Sequence, residues 1–365
     1  MKKIVKGILS AAMLSAAAAG FVSCAGSKGA EVGIVLPTKD EPRWIQDETS
    51  FKKLLEGKAS VELLFSQGDP NKEKQNVEAL LNKGVKVLVI CPHDGAAAAA
   101  AAEAAKKEGV TVISYDRLIT DTSAVDYYVT FDSFQVGVAQ GQYLINSIEK
   151  GSKGNSLYLY AGAASDNNAF IFFDGAWSVL QPKIADGTFV IRNSDKAVAL
   201  QNKKSLSRSE LSDIINQITT DWNFDTAKKK AADNLTVAKA SEKGKCYVLA
   251  PNDGTSRAIS DEFAKDPDVT SYVSTGQDAE LASAQYIIDG KQSMTVWKNT
   301  AVLAEDAITM ALDVLAGKTP ETTSTYDNNV KKVPAKQTAV TVIDKDNVKL
   351  LAEADYNGAK AALKF

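Results

Sequence analysis

The sequence predicts an α/β protein of two lobes, each built on a parallel sheet with helices on both faces. From Glu31 onward, short β-branched runs alternate with longer stretches of helical periodicity, the pattern of βαβ units. The alternation restarts after Phe131, and two such sheets cannot share one core. At 365 residues, 45% of them hydrophobic, the chain is long enough to bury two.

In the first half, strands are expected over 31–37, 61–66, 85–91 and 110–116. The run from Val85 to Cys91 is almost continuously apolar, as a strand covered on both faces requires. Helices are expected over 44–56, 72–83 and 95–108. The alanine run 96–102 is low in complexity, but alanine is the best helix former and Gly109 supplies the stop. Beyond a strand at 127–131, the second half reads as helix 134–149, strand 156–162, helix 168–180 and strand 188–192. Helix 226–240, strand 246–250, helix 255–265, strand 269–276 and helix 280–289 follow. The stretch 203–220 is polar and amphipathic and is expected to add a surface helix. Asp327-Asn328-Asn329 has no carboxylate ladder after it and reads as a turn, not a calcium loop.

Residues 1–23 have the form of a signal peptide. Lys2, Lys3 and Lys6 make a basic start, and the apolar stretch 7–22 is too short for a mature membrane anchor. The segment ends at Phe21-Val22-Ser23-Cys24, which resembles a bacterial lipobox; on that reading Cys24 is lipidated and 24–30 is a short tether. Phe21 stands where leucine is usual, and ordinary cleavage near the alanine run is the alternative. Removing 1–23, with three lysines and no acid, takes the formal charge from −3 to −6. That balance argues against a nucleic-acid partner. His93 is the one histidine, so most triad and zinc chemistries lose their usual residue; no metal or cofactor is expected. Cys91 and Cys246 adjoin apolar runs in different halves and are expected as buried free thiols.

Polar clusters follow the apolar runs: Pro37-Thr38-Lys39 with Arg43-Trp44, Tyr115-Asp116-Arg117, Asp166-Asn167-Asn168, Pro251-Asn252-Asp253-Gly254, Gly276-Gln277-Asp278 and Val296-Trp297-Lys298-Asn299. Any one of these could be a helix cap or a turn. Together, at the carboxyl ends of strands, they converge on one crevice if the lobes face each other.

In these clusters, and in Lys83-Gly84-Val85-Lys86-Val87-Leu88-Val89-Ile90, Leu118-Ile119, Thr130-Phe131-Asp132 with Phe134-Gln135-Val136-Gly137, and Ala279, the chain resembles the type I periplasmic sugar-binding proteins. The likeness is to the branch of the xylose-binding protein and the multiple monosaccharide-binding receptor, and it spans nearly the whole mature chain. The stretch 203–220 departs from the family pattern just before Trp222. The resemblance implies two Rossmann-like lobes joined by a hinge that the chain crosses three times. The N-terminal lobe would hold 31–131 and about 299–328, and the C-terminal lobe 132–298 and about 329–365, with a strand at 339–343.

It further implies a monosaccharide ligand, an aldopyranose such as xylose, glucose or galactose. A buried sugar needs every hydroxyl paired, since each orphan costs about 1–3 kcal/mol. Arg43 and Arg117 offer planar donor forks, Asp116 and Asp278 accept from adjacent hydroxyls, and Asn168 and Asn252 do both. Lys298 adds a cationic donor, and Lys39, Asn167 and Asp253 complete the expected polar set. Trp44 and Trp222 would cover the ring faces, with a core anchor as the competing role for Trp222.

The function so implied is that of an exported, lipid-anchored, monomeric substrate-binding protein. It would hand its sugar to the permease of an ABC importer, at the outer face of the cytoplasmic membrane or in the periplasm. A chemoreceptor or sensor kinase reading the closed form is the alternative. A glycoside hydrolase would need one of two carboxylates kept protonated, whereas Asp116 lies beside Arg117. Sugar-responsive repressors carry a DNA-binding helix pair where this chain has its signal peptide.

Overall fold

A computed structural model of the chain describes residues 30–365; the expected signal peptide, Cys24 and the tether up to residue 29 lie outside the described residues. The first sheet contains β1 (Val32–Leu36), β2 (Val61–Phe65), β3 (Val87–Ile90), β4 (Thr111–Tyr115) and β5 (Tyr127–Phe131). The second is built from β6 (Asn155–Leu159), β7 (Phe189–Ile191), β8 (Gly244–Leu249) and β9 (Val269–Ser274), followed by β10 (Met294–Trp297). Three strands close the chain: β11 (Ser324–Asp327), β12 (Lys332–Thr338) and β13 (Thr341–Asp344).

The first sheet runs β11-β12-β5-β4-β3-β1-β2, parallel throughout except for the β11–β12 hairpin. Val87, Leu88, Val89 and Ile90 are wholly buried because helices cover both faces. Helices Pro42–Leu55 and Thr300–Leu315 pack on one side, and Pro70–Asn82 and Ala99–Lys107 on the other. The alanine helix begins at Ala99, four residues later than expected, because Asp94 Oδ1 ties the amides of Ala96 and Ala97 into a turn.

The second sheet runs β7-β6-β8-β9, all parallel, and is extended by the antiparallel pair β10–β13 through a bridge between Gln277 and Val296. Its helices Ser133–Asn146 and Asn167–Ala185 pack backbone to backbone. A Cβ on Gly137 would lie 1.8 Å from the Phe172 carbonyl oxygen, and one on Gly175 2.2 Å from that of Phe134. This contact fixes the start of helix Asn167–Ala185, where the cleft lies.

The expected domain boundary near 329 needs correction. β12 pairs in parallel with β5, with Val333 and Ala335 fully buried in the first core, so the third crossing falls between β12 and β13. The stretch 203–220 forms the expected amphipathic helix. Its helix Arg208–Ile218, started by a capping box of Ser207 and Glu210, buries Leu211, Ile214, Ile215 and Ile218 in the second core. The 3, 4, 7 spacing of these residues makes one apolar stripe, and such a stripe must be covered.

Candidate functional site

Strand ends of both lobes face one cleft. At the end of β4, Asp116 takes a left-handed backbone (φ 58°), and the Arg117 amide donates to the Tyr115 carbonyl at 2.6 Å. This tight turn aims two consecutive polar side chains into the cleft. The Asp116 carbonyl oxygen accepts from Tyr128 Oη (2.6 Å), Asn168 Nδ2 (2.8 Å) and Thr130 Oγ1 (3.3 Å). Its carboxylate accepts from Arg43 Nη2 at 2.6 Å. Burial pushes this carboxyl up, but Arg43, Lys298 and Arg117 outweigh burial and hold it below the usual range.

Helix Pro42–Leu55 presents Arg43, Trp44 and Asp47 to the same place. The Trp44 ring lies 4.4 Å from the Arg43 guanidinium carbon and 5.1 Å from that of Arg117. Asp47 sits behind Arg43, 3.8 Å from its Nε, and accepts from Tyr115 Oη at 3.0 Å. Burial, opposed by Arg43, pushes the Asp47 carboxyl up to about 7.

The second lobe supplies Asn168 and, one helical turn on, Phe172; both line the cavity. Trp222 also has a left-handed backbone (φ 57°) and lies flat against Gly162, where a Cβ would be 2.0 Å from its ring. The Trp222 and Phe172 rings meet edge to face, centroids 6.2 Å apart. Asn252 caps helix Asp253–Lys265 through Oδ1, which accepts from Thr255 Oγ1 at 2.6 Å. That leaves its Nδ2 donor for a ligand. Lys298 Nζ stands 2.8 Å from Asp278 Oδ1.

These groups surround a small cavity in the cleft, about 300 Å³ of space between atoms that is partly open to solvent. Arg43 is matched by Asp116, Arg117 by Asp166 at 3.1 Å and Lys298 by Asp278, so no bare cation remains to demand an anion. Meanwhile Arg43 Nε, Trp222 Nε1 and Gln277 Oε1 are buried without a hydrogen-bond partner. Fixed donors and acceptors between aromatic faces suit a neutral polyol.

Several contacts join the lobes across this space. Arg117 reaches Asp166, Asn168 Nδ2 reaches the Asp116 carbonyl, the Gly95 amide donates to Ser165 O (3.2 Å), and Asn357 Nδ2 donates to Gln46 Oε1 (2.7 Å). The structure is that of a closed cleft.

Of the residues expected at the site, the cavity is lined by Arg43, Trp44, Asp116, Arg117 and Asn168, and by Trp222, Asn252, Asp278 and Lys298. Three are not there. Lys39 is exposed and pairs with Glu48 at 3.9 Å. Asn167 accepts from Arg208 Nη1 of the inserted helix at 2.9 Å. Asp253 is fully buried, taking Gln292 Nε2 and the Glu280 amide at 2.9 Å each. Glu41, Asp166, Phe172 and Gln277 line the cavity and were not in the expected set. Asp166 and Gln277 belong to clusters already visible in the sequence; Phe172 follows Asn168 at i+4, a spacing that could have found it. Nothing in the sequence distinguishes Glu41. Both Cys91 and Cys246 are buried free thiols. Among the described residues, no group of three or more His, Cys, Asp or Glu could hold a metal ion, and no helix is long and apolar enough to cross a membrane.

Residues 32–319 match the family described as periplasmic binding protein domain. The chain belongs to the periplasmic binding proteins. It has the type I fold of that family, and it is a binding protein rather than an enzyme. It is 36% identical to the multiple sugar-binding periplasmic receptor ChvE of Rhizobium radiobacter over 98% of both chains. It is 28% identical to the D-xylose-binding periplasmic protein of Escherichia coli, over 88% of this chain and 89% of that one. A carbohydrate transporter solute-binding protein from Chloroflexus aurantiacus, solved with D-glucose, is 63% identical with a TM-score of 0.89, covering 91% of this chain and 97% of that one.

Proposed function

We propose that this periplasmic binding protein captures a monosaccharide of the glucose and xylose type between its lobes and delivers it to the permease of an ABC importer. The observation that carries this is the small cavity held between the joined lobes. Its ion pairs are internally neutralised, its aromatic faces come from both lobes, and its unpartnered polar atoms mix donors and acceptors. The glucose-bound relative and the sugar receptors support the same ligand class. The binding set is Arg43, Trp44, Asp116, Arg117, Asn168, Trp222, Asn252, Asp278 and Lys298, with Glu41, Asp166, Phe172 and Gln277 added. The working lobes are 31–131 with 299–338, and 132–298 with 339–365. The protein acts as an exported monomer, tethered through a lipid on Cys24. A chemoreceptor or sensor kinase reading the closed form is the alternative to transport.

A thermal-shift series with xylose, glucose, galactose, arabinose and ribose tests the ligand. Saturation at a hundred times Kd stabilises the folded state by about 2.7 kcal/mol. At least one of these sugars should raise the melting point; no shift with any of them would remove the proposal. Mass spectrometry of membrane-extracted protein should find a diacyl adduct on Cys24, and an unmodified N-terminus elsewhere would refute the tether.

A further inference from the structure

The inner cavity continues outward. Glu41, Arg43, Trp222, Asn252 and Asp278 line both it and a second, larger chamber that is partly open to solvent. Gln67 and His93 wall this chamber on the first-lobe side, and Phe224, Gly254 and Arg257 on the second. It persists although the lobes are joined by the Arg117–Asp166 pair and by Asn168, so closure around the inner space leaves the outer one open. The inner space is the smaller of the two, so a second ring has to lie in the outer one.

We infer that the outer chamber is a second subsite, which takes the second ring of a neutral disaccharide or glycoside whose terminal monosaccharide sits in the inner cavity. This rests on the sugar reading above. Trp222 faces both spaces, and Phe224, 42% exposed at a helix start, offers the chamber an apolar face for a ring's C–H surface. Charge sets the chemical class. Arg257 is matched by Glu280 at 2.7 Å and Arg43 by Asp116, while Asp40, Glu41 and Asp221 add further acid to the wall. His93 does not offset them, since burial, then Arg117, lowers its pKa from an already weakly basic value. Such a wall accepts hydrogen bonds from hydroxyls and repels a phosphate or a uronate.

The test is calorimetric titration of the full-length protein with glucose and xylose beside cellobiose, maltose, gentiobiose and glucose 1-phosphate. Three proteins are compared: wild type, Gly254→Leu and Phe224→Ala. A Cβ at Gly254 meets only Arg257 Nη2 at 3.9 Å and Asn252 Nδ2 at 4.0 Å, ordinary contact distances, and Gly254 lines the outer chamber but not the inner space, so leucine there should obstruct the chamber. One neutral disaccharide should bind within about tenfold of the best monosaccharide. Gly254→Leu should weaken that disaccharide by about tenfold or more and leave the monosaccharide within about threefold; Phe224→Ala should give a smaller loss of the same selectivity. Monosaccharide binding with no disaccharide binding, or a disaccharide affinity indifferent to both variants, overturns the subsite and leaves the monosaccharide site standing. Glucose 1-phosphate binding as tightly as the disaccharide overturns the neutral class. Failure of every sugar overturns both readings.

Discussion

Replacing Arg117 by alanine should cripple closure while sparing the fold. Its Nε lies 3.1 Å from Asp166 Oδ2 across the lobe boundary, and the two side chains are 6% and 3% exposed. In an open form the two lobes separate and water solvates Asp166, so the cost of losing Arg117 falls on the closed form alone. Removing one partner of a buried ion pair costs about 3–5 kcal/mol. At about 1.4 kcal/mol per decade, the low end already raises the sugar Kd by roughly a hundredfold. Asp166 can relieve part of this by taking a proton. Burial pushes its carboxyl up even now, against Arg117 and the Asn168 amide, and loss of Arg117 pushes it further. The closed form of the variant therefore binds a proton more tightly than the open form, and its affinity deficit should shrink as pH falls. Titration calorimetry of Arg117→Ala at acid and neutral pH measures both effects, and Asp166→Asn in the same chain should restore part of the loss. A variant that binds within about threefold of wild type at neutral pH would refute the interlobe role of the pair.

Asp47→Asn should change the pH dependence of stability. Burial lifts the Asp47 carboxyl from 3.8 to about 7, so between these values the folded chain holds a proton that the unfolded chain has lost. The wild type loses stability through this group as pH rises across that window, with no further loss above it. The melting point of the variant relative to wild type should climb over the same window; a flat difference would show that Asp47 ionises normally. Gly162→Ala puts a Cβ 2.0 Å from the Trp222 ring and should displace that ring from the cavity. Sugar affinity should fall by about tenfold with little change in melting point, and unchanged affinity would remove Trp222 as a cover for the ligand.

The strands that build both cores were legible because β1 and β3 are runs of Val, Ile and Leu, as a doubly covered sheet demands, and the others mix apolar and aromatic residues in short stretches between helical patterns. β12 escaped notice for the opposite reason. Lys-Val-Pro-Ala-Lys-Gln-Thr turns only Val333 and Ala335 fully inward, and Pro334 argues against a strand from sequence alone. At the site, the strand-end rule brought the right segments together but not always the right residue. Successive residues at a helix start point about 100° apart, so Asn168 enters the cavity while Asn167 turns to Arg208, and Asn252 enters while Asp253 turns inward to Gln292. Composition cannot choose between such neighbours. Glu41 reaches the cleft through a loop geometry to which no periodicity applies.

The Asp116 carbonyl oxygen, which receives Tyr128, Thr130 and Asn168 at once, has an evolutionary consequence. Because the acceptor is main chain, no substitution at 116 can delete it, whereas a change of side chain there alters only the pair with Arg43 and the hydroxyls it meets. Ligand preference can therefore drift at this position without loosening the grip of one lobe on the other. The limit on that drift is the positive φ, which confines replacements to asparagine, glycine and the few residues that tolerate a left-handed backbone.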